Sequence, residues 1–280
     1  MGVQAAYLPD GRRLHLNHGP IDLIIDAEGP GRDRALRAAH DRMVTILDEL
    51  VPELPSLRTP VADHPKLNGH IALGMLAATA PFAPAFLTPM AAVAGAVADT
   101  VLAAMTAAGD LRRAYVNNGG DIAVHLSGTE IFTAAIAAGR ADRVEIPAGS
   151  AVRGIATSGW RGRSQSLGIA DAVTVLAKSA ARADAAATMI ANAVDLPGSP
   201  KVMRGKANDQ RPDSDLGDRL VTVDVAALTP EEIAMALSRG RSFAETCLSR
   251  GLIAAAHLTL CGEATSVGAL QEPIKEQLHA

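Results

Sequence analysis

Asp184 and Thr188 stand one helical turn apart in the alanine-rich run 180–193 (AARADAAATMIANA). Residues at i and i+4 share one face of a helix. A carboxylate and a hydroxyl side by side are hard oxygen donors of the kind that Mg²⁺ accepts together with water and a substrate phosphate. The simplest alternative is a solvated Asp184 whose carbonyl accepts a back-bond from the Thr188 hydroxyl.

Upstream, 154–159 (GIATSG) ends a strand on Thr157, Ser158 and Gly159. Two hydroxyls and free backbone N–H groups are ingredients of an anion cradle, and an ordinary turn uses the same residues. Earlier still, Asn117, Asn118, Gly119 and Gly120 separate two strand-like runs, 112–116 and 121–126. Asn-Gly between strands predicts a hairpin, and a Gly-Gly turn also lets backbone approach a ligand with no Cβ in between.

The elements that must position these residues can be read in outline. Alternation over 12–17 and 20–26 predicts a hairpin, and the apolar period over 33–50 a helix. The His15/His18 spacing does not put two imidazoles on one strand face, so no metal pair is expected there. Residues 60–85 give no clear assignment. Thr88-Pro89 is expected to cap a helix running to about residue 108, buried on most sides with a neighbour pressed close at Gly95. Its one acid, Asp99, is expected to meet solvent or a buried donor rather than a ligand. The run 130–137 reads as the next strand of an antiparallel meander, followed by a loop through Arg140 and Pro147. Strands are expected at 151–157, 171–177 and 220–225, with a polar excursion over 198–219. A helix starts at Thr229-Pro230-Glu231-Glu232, with Gly240 as a break, and a hairpin closes over 252–268 with His257 packed in it.

Composition narrows the function. A net charge of −4 without a Lys/Arg run argues against a nucleic-acid surface. The longest apolar stretch, 91–108, is interrupted by Gly95 and Asp99, so no membrane span is expected. Cys247 and Cys261 form no CxxC pair, and the N-terminus lacks a basic-then-apolar order; a reduced, cytoplasmic protein is expected. With aromatic residues at only 2%, a ligand ring would meet mostly aliphatic walls or backbone.

Three segments, VNNGGDIAV (116–124), GIATSG (154–159) and VTVLAKSAARADAAAT (173–188), occur in the order and rough spacing of the ApbE signature. The chain resembles these flavin transferases, which move FMN from FAD onto a Thr or Ser of a target protein. It is most similar to an uncharacterised ApbE-like group, through HGPIDLII (18–25), TPMAAVAGAVAD (88–99) and DSDLGDRLVTVDV (213–225) as well. The resemblance implies one α+β domain over 1–280 of antiparallel sheets with packed helices, related to the T-fold. It implies a flavin nucleotide, FAD or FMN, held at Asn118, Gly119, Gly120, Asp121, Thr157, Ser158 and Gly159, and Mg²⁺ at Asp184 and Thr188. A protein acceptor is implied as partner, and a homodimer would cover sheet edges. The His-Ile-x-Asp-Pro-Arg-x-Gly loop of the transferases has no counterpart: the interval 160–171 (WRGRSQSLGIAD) holds neither His nor Pro, so no catalytic residue is assigned. The same group has links to sulfide assimilation toward homocysteine, which leaves a sulfur- or cofactor-metabolism role, or flavin binding without turnover, as alternatives.

Overall fold

The computed structural model describes residues 2–136 and 143–269. Its frame is a nine-stranded sheet in the order β1 (Gln4–Tyr7), β2 (Leu14–His18), β3 (Ile21–Glu28), β4 (Arg113–Asn118), β5 (Asp121–Leu126), β8 (Gly154–Ser158), β9 (Ala172–Ala177), β12 (Ala255–Leu260) and β13 (Glu263–Gly268). Every neighbouring pair is antiparallel. The fold is therefore α+β, as expected. The missing numbers belong to two hairpins outside this sheet: β6 (Ile131–Ala135) pairs β7 (Arg143–Pro147), and β10 (Val202–Lys206) pairs β11 (Leu220–Val225).

The main helices are α1 (Arg32–Leu50), α3 (His70–Thr79), α4 (Val93–Ala108), α5 (Ala180–Ala193) and α7 (Pro230–Ser249); α2 (Leu54–Leu57) and α6 (Ala207–Gln210) are single turns. The helices pack on one sheet face, where Leu23, Ile25, Val116, Ala123, Ala156, Val173, Val175 and Leu258 join the principal core. On the opposite face Val124, Ile155 and Leu176 meet Val144 and Ile146 of the β6–β7 hairpin in a smaller core. The period-2 alternation of strand side chains makes this division.

Several expectations are corrected. The meander does not continue through β6: it leaves the sheet, and β8 takes the place beside β5. Pro147 ends β7 instead of lying in a loop, and Arg140 lies outside the described residues. The polar stretch 198–219 is no free excursion, because β10 pairs β11 and Arg204 is held by Asp195 at 2.5 Å and by the Leu167 carbonyl. Some of its polar side chains thus bind the protein, while others, Asp213 and Asp218 among them, stay exposed. The unassigned region 60–85 contains α3. Gly240 does not interrupt α7, where it is buried; a Cβ there would lie 2.2 Å from Val194. Thr88 and Pro89 take the N-cap and first positions of a 3₁₀ turn, Pro89–Ala92, that leads into α4, but the Thr88 hydroxyl donates to Asp215 at 2.5 Å instead of capping that turn.

The 20-residue segment Pro89–Ala108 is long and apolar enough to cross a membrane, with mean hydropathy 1.6 over an 18-residue window, contrary to the reading from sequence. Here one face of it is built into the protein: Gly95, Ala96, Val97, Ala98, Val101, Leu102 and Met105 are buried, and it packs on α1, α5, β4 and β5.

Small residues make that packing possible. A Cβ at Gly95 would stand 2.3 Å from the Ala180 carbonyl oxygen, and one at Gly154 would stand 2.1 Å from the Ser179 carbonyl carbon. Helix α4 and strand β8 thus press backbone-to-backbone on the start of α5. Gly95→Ala should lower stability by about 1–3 kcal/mol through overpacking, against the gain in helix propensity. Gly74, in α3 with nothing within 4 Å of its would-be Cβ, is the control. Gly74→Ala should raise stability by roughly 0.5–1 kcal/mol. Urea unfolding of the two variants measures both, and equal shifts would contradict the close crossing.

Candidate functional site

Asn118 and Asp121 close the β4–β5 hairpin as a register pair, with Gly119 and Gly120 as its two-residue loop at φ 65° and 116°. Both loop positions thus adopt the positive φ that a tight hairpin turn requires. The Asn117 side-chain oxygen accepts from the Gly120 N–H at 2.8 Å. Asn118 lies on the helix-facing side and donates from Nδ2 to the Ala94 carbonyl at 3.1 Å, tying the turn to the first turn of α4.

Asp184 reaches the same place from α5. Its Oδ2 accepts from the Gly95 N–H at 3.1 Å. In return, Asp99 of α4 accepts from the Ala180 and Ala181 N–H groups of α5, both at 2.9 Å. Each helix thus satisfies N–H groups that the other leaves open in its first turn. Asp99 meets buried donors, one of the two outcomes expected of it. Ser179 completes the α5 cap by accepting from the Arg182 N–H at 3.3 Å.

The sequence-derived site residues come together unequally. The Thr157 N–H donates to Asp121 at 3.4 Å, but its hydroxyl bonds Thr174 at 2.8 Å. By alternation Thr157 shares the face of Ile155, away from the helices, so it serves the helix-side recess with its amide alone. Ser158 is buried on the helix side with Ala156. Gly159 is required by contact, since a Cβ there would fall 2.4 Å from the Asp171 carbonyl oxygen. Asp184 is not a merely solvated acid. Among the described residues the half-buried Thr188 hydroxyl makes no back-bond to the Asp184 carbonyl. The simplest alternative fails on both counts.

The electrostatics there are set by two neighbouring carboxylates. Burial pushes the Asp121 carboxyl up to about 7, opposed only by the Thr157 N–H. Asp184 lies well above the usual carboxylate range, through burial first and the neighbouring Asp121 charge second, against the Gly95 and Ala94 N–H groups. Asp99 is raised by burial too, and its two N–H bonds resist. Like charges brought together in a low-dielectric recess hold on to a proton.

Sequence reasoning missed Arg163. Its guanidinium lies 3.7 Å from where a Gly119 Cβ would be, so a cation overhangs the Gly-Gly turn. The polar, basic run at 160–165 was the available signal, but not its destination. Among the described residues no three of His, Cys, Asp and Glu gather as a metal cluster. A cation here would need hydroxyl, backbone or water oxygen besides Asp121 and Asp184, a donor set that suits Mg²⁺. His15 and His18 form no pair: His15 bonds Asp22 at 2.8 Å and His18 the Met43 carbonyl at 3.3 Å.

Both raised carboxylates bind a proton more tightly in the folded chain than in the unfolded one. Their contribution to stability is therefore fullest below the ordinary carboxylate range and is lost as pH rises through the folded values. For Asp121 that window runs from 3.8 to about 7. Without metal, the melting temperature should fall by a few degrees across it, and Asp184→Asn should flatten the profile. Parallel profiles for parent and variant would show that the two acids do not share a charge.

A family model described as AbpE bacteria matches residues 5–266. Curated relatives include the UPF0280 protein of Methanothrix thermoacetophila, 43% identical over 111 residues, and that of Methanocella arvoryzae, 41% identical over 125. The matches cover 38% and 43% of this chain and 46% and 49% of those proteins, so the chain spans about half the length of the curated relatives it matches. Among solved structures, the flavinyl transferase ApbE of Pseudomonas stutzeri is similar at 16% identity and a TM-score of 0.44, over 95% of each chain. The flavin transferase ApbE of Vibrio cholerae is similar at 13% identity and 0.40, over 95% of this chain and 97% of that one.

Proposed function

The chain belongs to the AbpE bacteria family, and on that premise we propose that it binds a flavin nucleotide, FAD, together with Mg²⁺ and cleaves the nucleotide pyrophosphate, passing FMN to an acceptor. The observation that carries this reading is the convergence of Asp121 and Asp184 between the β4–β5 turn and α5, each held above its ordinary pKa by burial and Asp184 also by the Asp121 charge. Such a pair is unfavourable without a cation and becomes favourable with one.

In this reading Asp184, Thr188 and Asp121 would hold the metal, which would supply positive charge against the pyrophosphate and the phosphorus under attack. Gly119 and Gly120 let the phosphates come up to the backbone, and Arg163 supplies a guanidinium over that turn. Ser158 and Gly159 form the wall on the β8 side. The incoming hydroxyl needs a proton acceptor. No His lies between Trp160 and Asp171 to take that role.

The expected products are FMN, on an acceptor or on water, and AMP. Purified protein incubated with FAD and Mg²⁺ should release AMP, and Asp184→Ala should reduce the rate by at least about 100-fold. AMP release that is indifferent to Asp184→Ala would overturn the site. Tight FAD binding without AMP under any condition would overturn the cleavage and leave a flavin-binding protein.

A further inference from the structure

At the far end of β4, about 17 Å from the Gly119–Gly120 turn by strand rise, lies a second concentration of charge. Glu28 alone is shared by Arg12, Arg113 at 2.5 Å and Arg112 at 3.9 Å. The buried Asp26 is shared by Arg12 at 2.6 Å and Arg32 at 3.5 Å. Asp33, on the outside of the group, lies 3.7 Å from Arg32 and is 80% exposed, so it compensates little. Two arginines would neutralise Asp26 and Glu28; the fold places four there.

The excess faces open space. A recess of about 430 Å³ is lined by Arg12, Arg32 and Arg112 with the single carboxylate of Glu28. The Arg112 side chain is 64% exposed, and among the described residues its ion-pair contact is the long one to Glu28. Sharing the Ala27–Glu28 wall is a second recess of about 210 Å³, whose lining includes Tyr115 and Phe132. Those two rings are tilted against each other at 5.5 Å between centroids. In a chain with seven aromatic residues, two of them stand beside this arginine cluster.

We propose that this double recess is a binding site, separate from the Asp121–Asp184 recess, for a small anionic ligand that carries an aromatic ring: an aryl phosphate or aryl carboxylate. Guanidinium groups pair with such oxyanions in bidentate fashion, and Arg112 is the one free to turn its fork outward. The Tyr115–Phe132 pair supplies a face for the ring. Burial and the Asp26 charge raise the Tyr115 pKa, so its hydroxyl stays protonated and adds no negative charge to the site.

The probe is phenyl phosphate, with inorganic phosphate as the ringless comparison, titrated into the full chain by calorimetry. Phenyl phosphate should bind saturably and more tightly than phosphate. Arg112→Glu, at an exposed position, should weaken both by about tenfold or more without moving the melting temperature. Phe132→Ala should weaken phenyl phosphate roughly two- to tenfold toward the phosphate value and leave phosphate unchanged. No saturable binding, or binding indifferent to Arg112→Glu, overturns the proposal. Loss of phenyl phosphate binding in Asp184→Asn would place the anion in the other recess and overturns it equally.

Discussion

Everything at the candidate site hangs on the crossing of α4 and α5. At Gly95 and Ala180 the two helices approach until there is no room for a β-carbon, and each supplies the carboxylate that satisfies open N–H groups of the other. A larger side chain at the crossing would separate both pairs of hydrogen bonds together. The composition follows from this constraint. Helices rich in Ala and Gly give up side-chain area in exchange for close contact, and the core around them is filled with aliphatic residues instead of rings.

The crossing has an electrostatic consequence. Asp184 faces the β4–β5 hairpin, where Asp121 begins β5, and the two acids are held in a recess that water solvates poorly. Along α5 the positions flanking Asp184 are mostly Ala, and its hydrogen-bond partner comes from the first turn of α4. Retaining two mutually repelling carboxylates costs stability near neutral pH, which is the mark of a site built for a positively charged occupant. The second charged region, around Glu28, shows the opposite imbalance, with guanidinium groups in excess. One chain thus carries an uncompensated negative recess and an uncompensated positive one at opposite ends of β4.

Local chemistry was legible in the sequence. The Thr229–Glu232 capping box formed as its residues imply, with Pro230 at the first helical position. Helix α5 spans the run marked out by alanine, and the Asn118–Asp121 turn is the hairpin that Asn-Gly signals. What escaped were pairings between distant segments. No local pattern says that β5 takes β8 instead of β6 as its neighbour, because both candidates alternate and the choice is made by which face each can bury. The β10 strand was hidden because its polar residues bind the protein itself, Arg204 to Asp195 among them. The same holds at the site. Asp184 and Thr188 were visible by their spacing, whereas the role of Asp99 and the position of Arg163 depend on contacts 81 residues and more apart in one case and on a loop's path in the other. Thr157 was visible too, but only the strand alternation reveals that its amide, and not its hydroxyl, faces the recess.

The central claim, that Asp121 and Asp184 together form a cation site, is tested most directly by counting protons. Mg²⁺ binding measured by calorimetry near pH 6.5 in two buffers of different ionisation enthalpy gives the number released per ion. The account predicts saturable binding with release of about one proton, because the pair gives up its shared proton to the metal, and loss of that release in Asp121→Asn. Binding without proton release, or no binding at all, would contradict it.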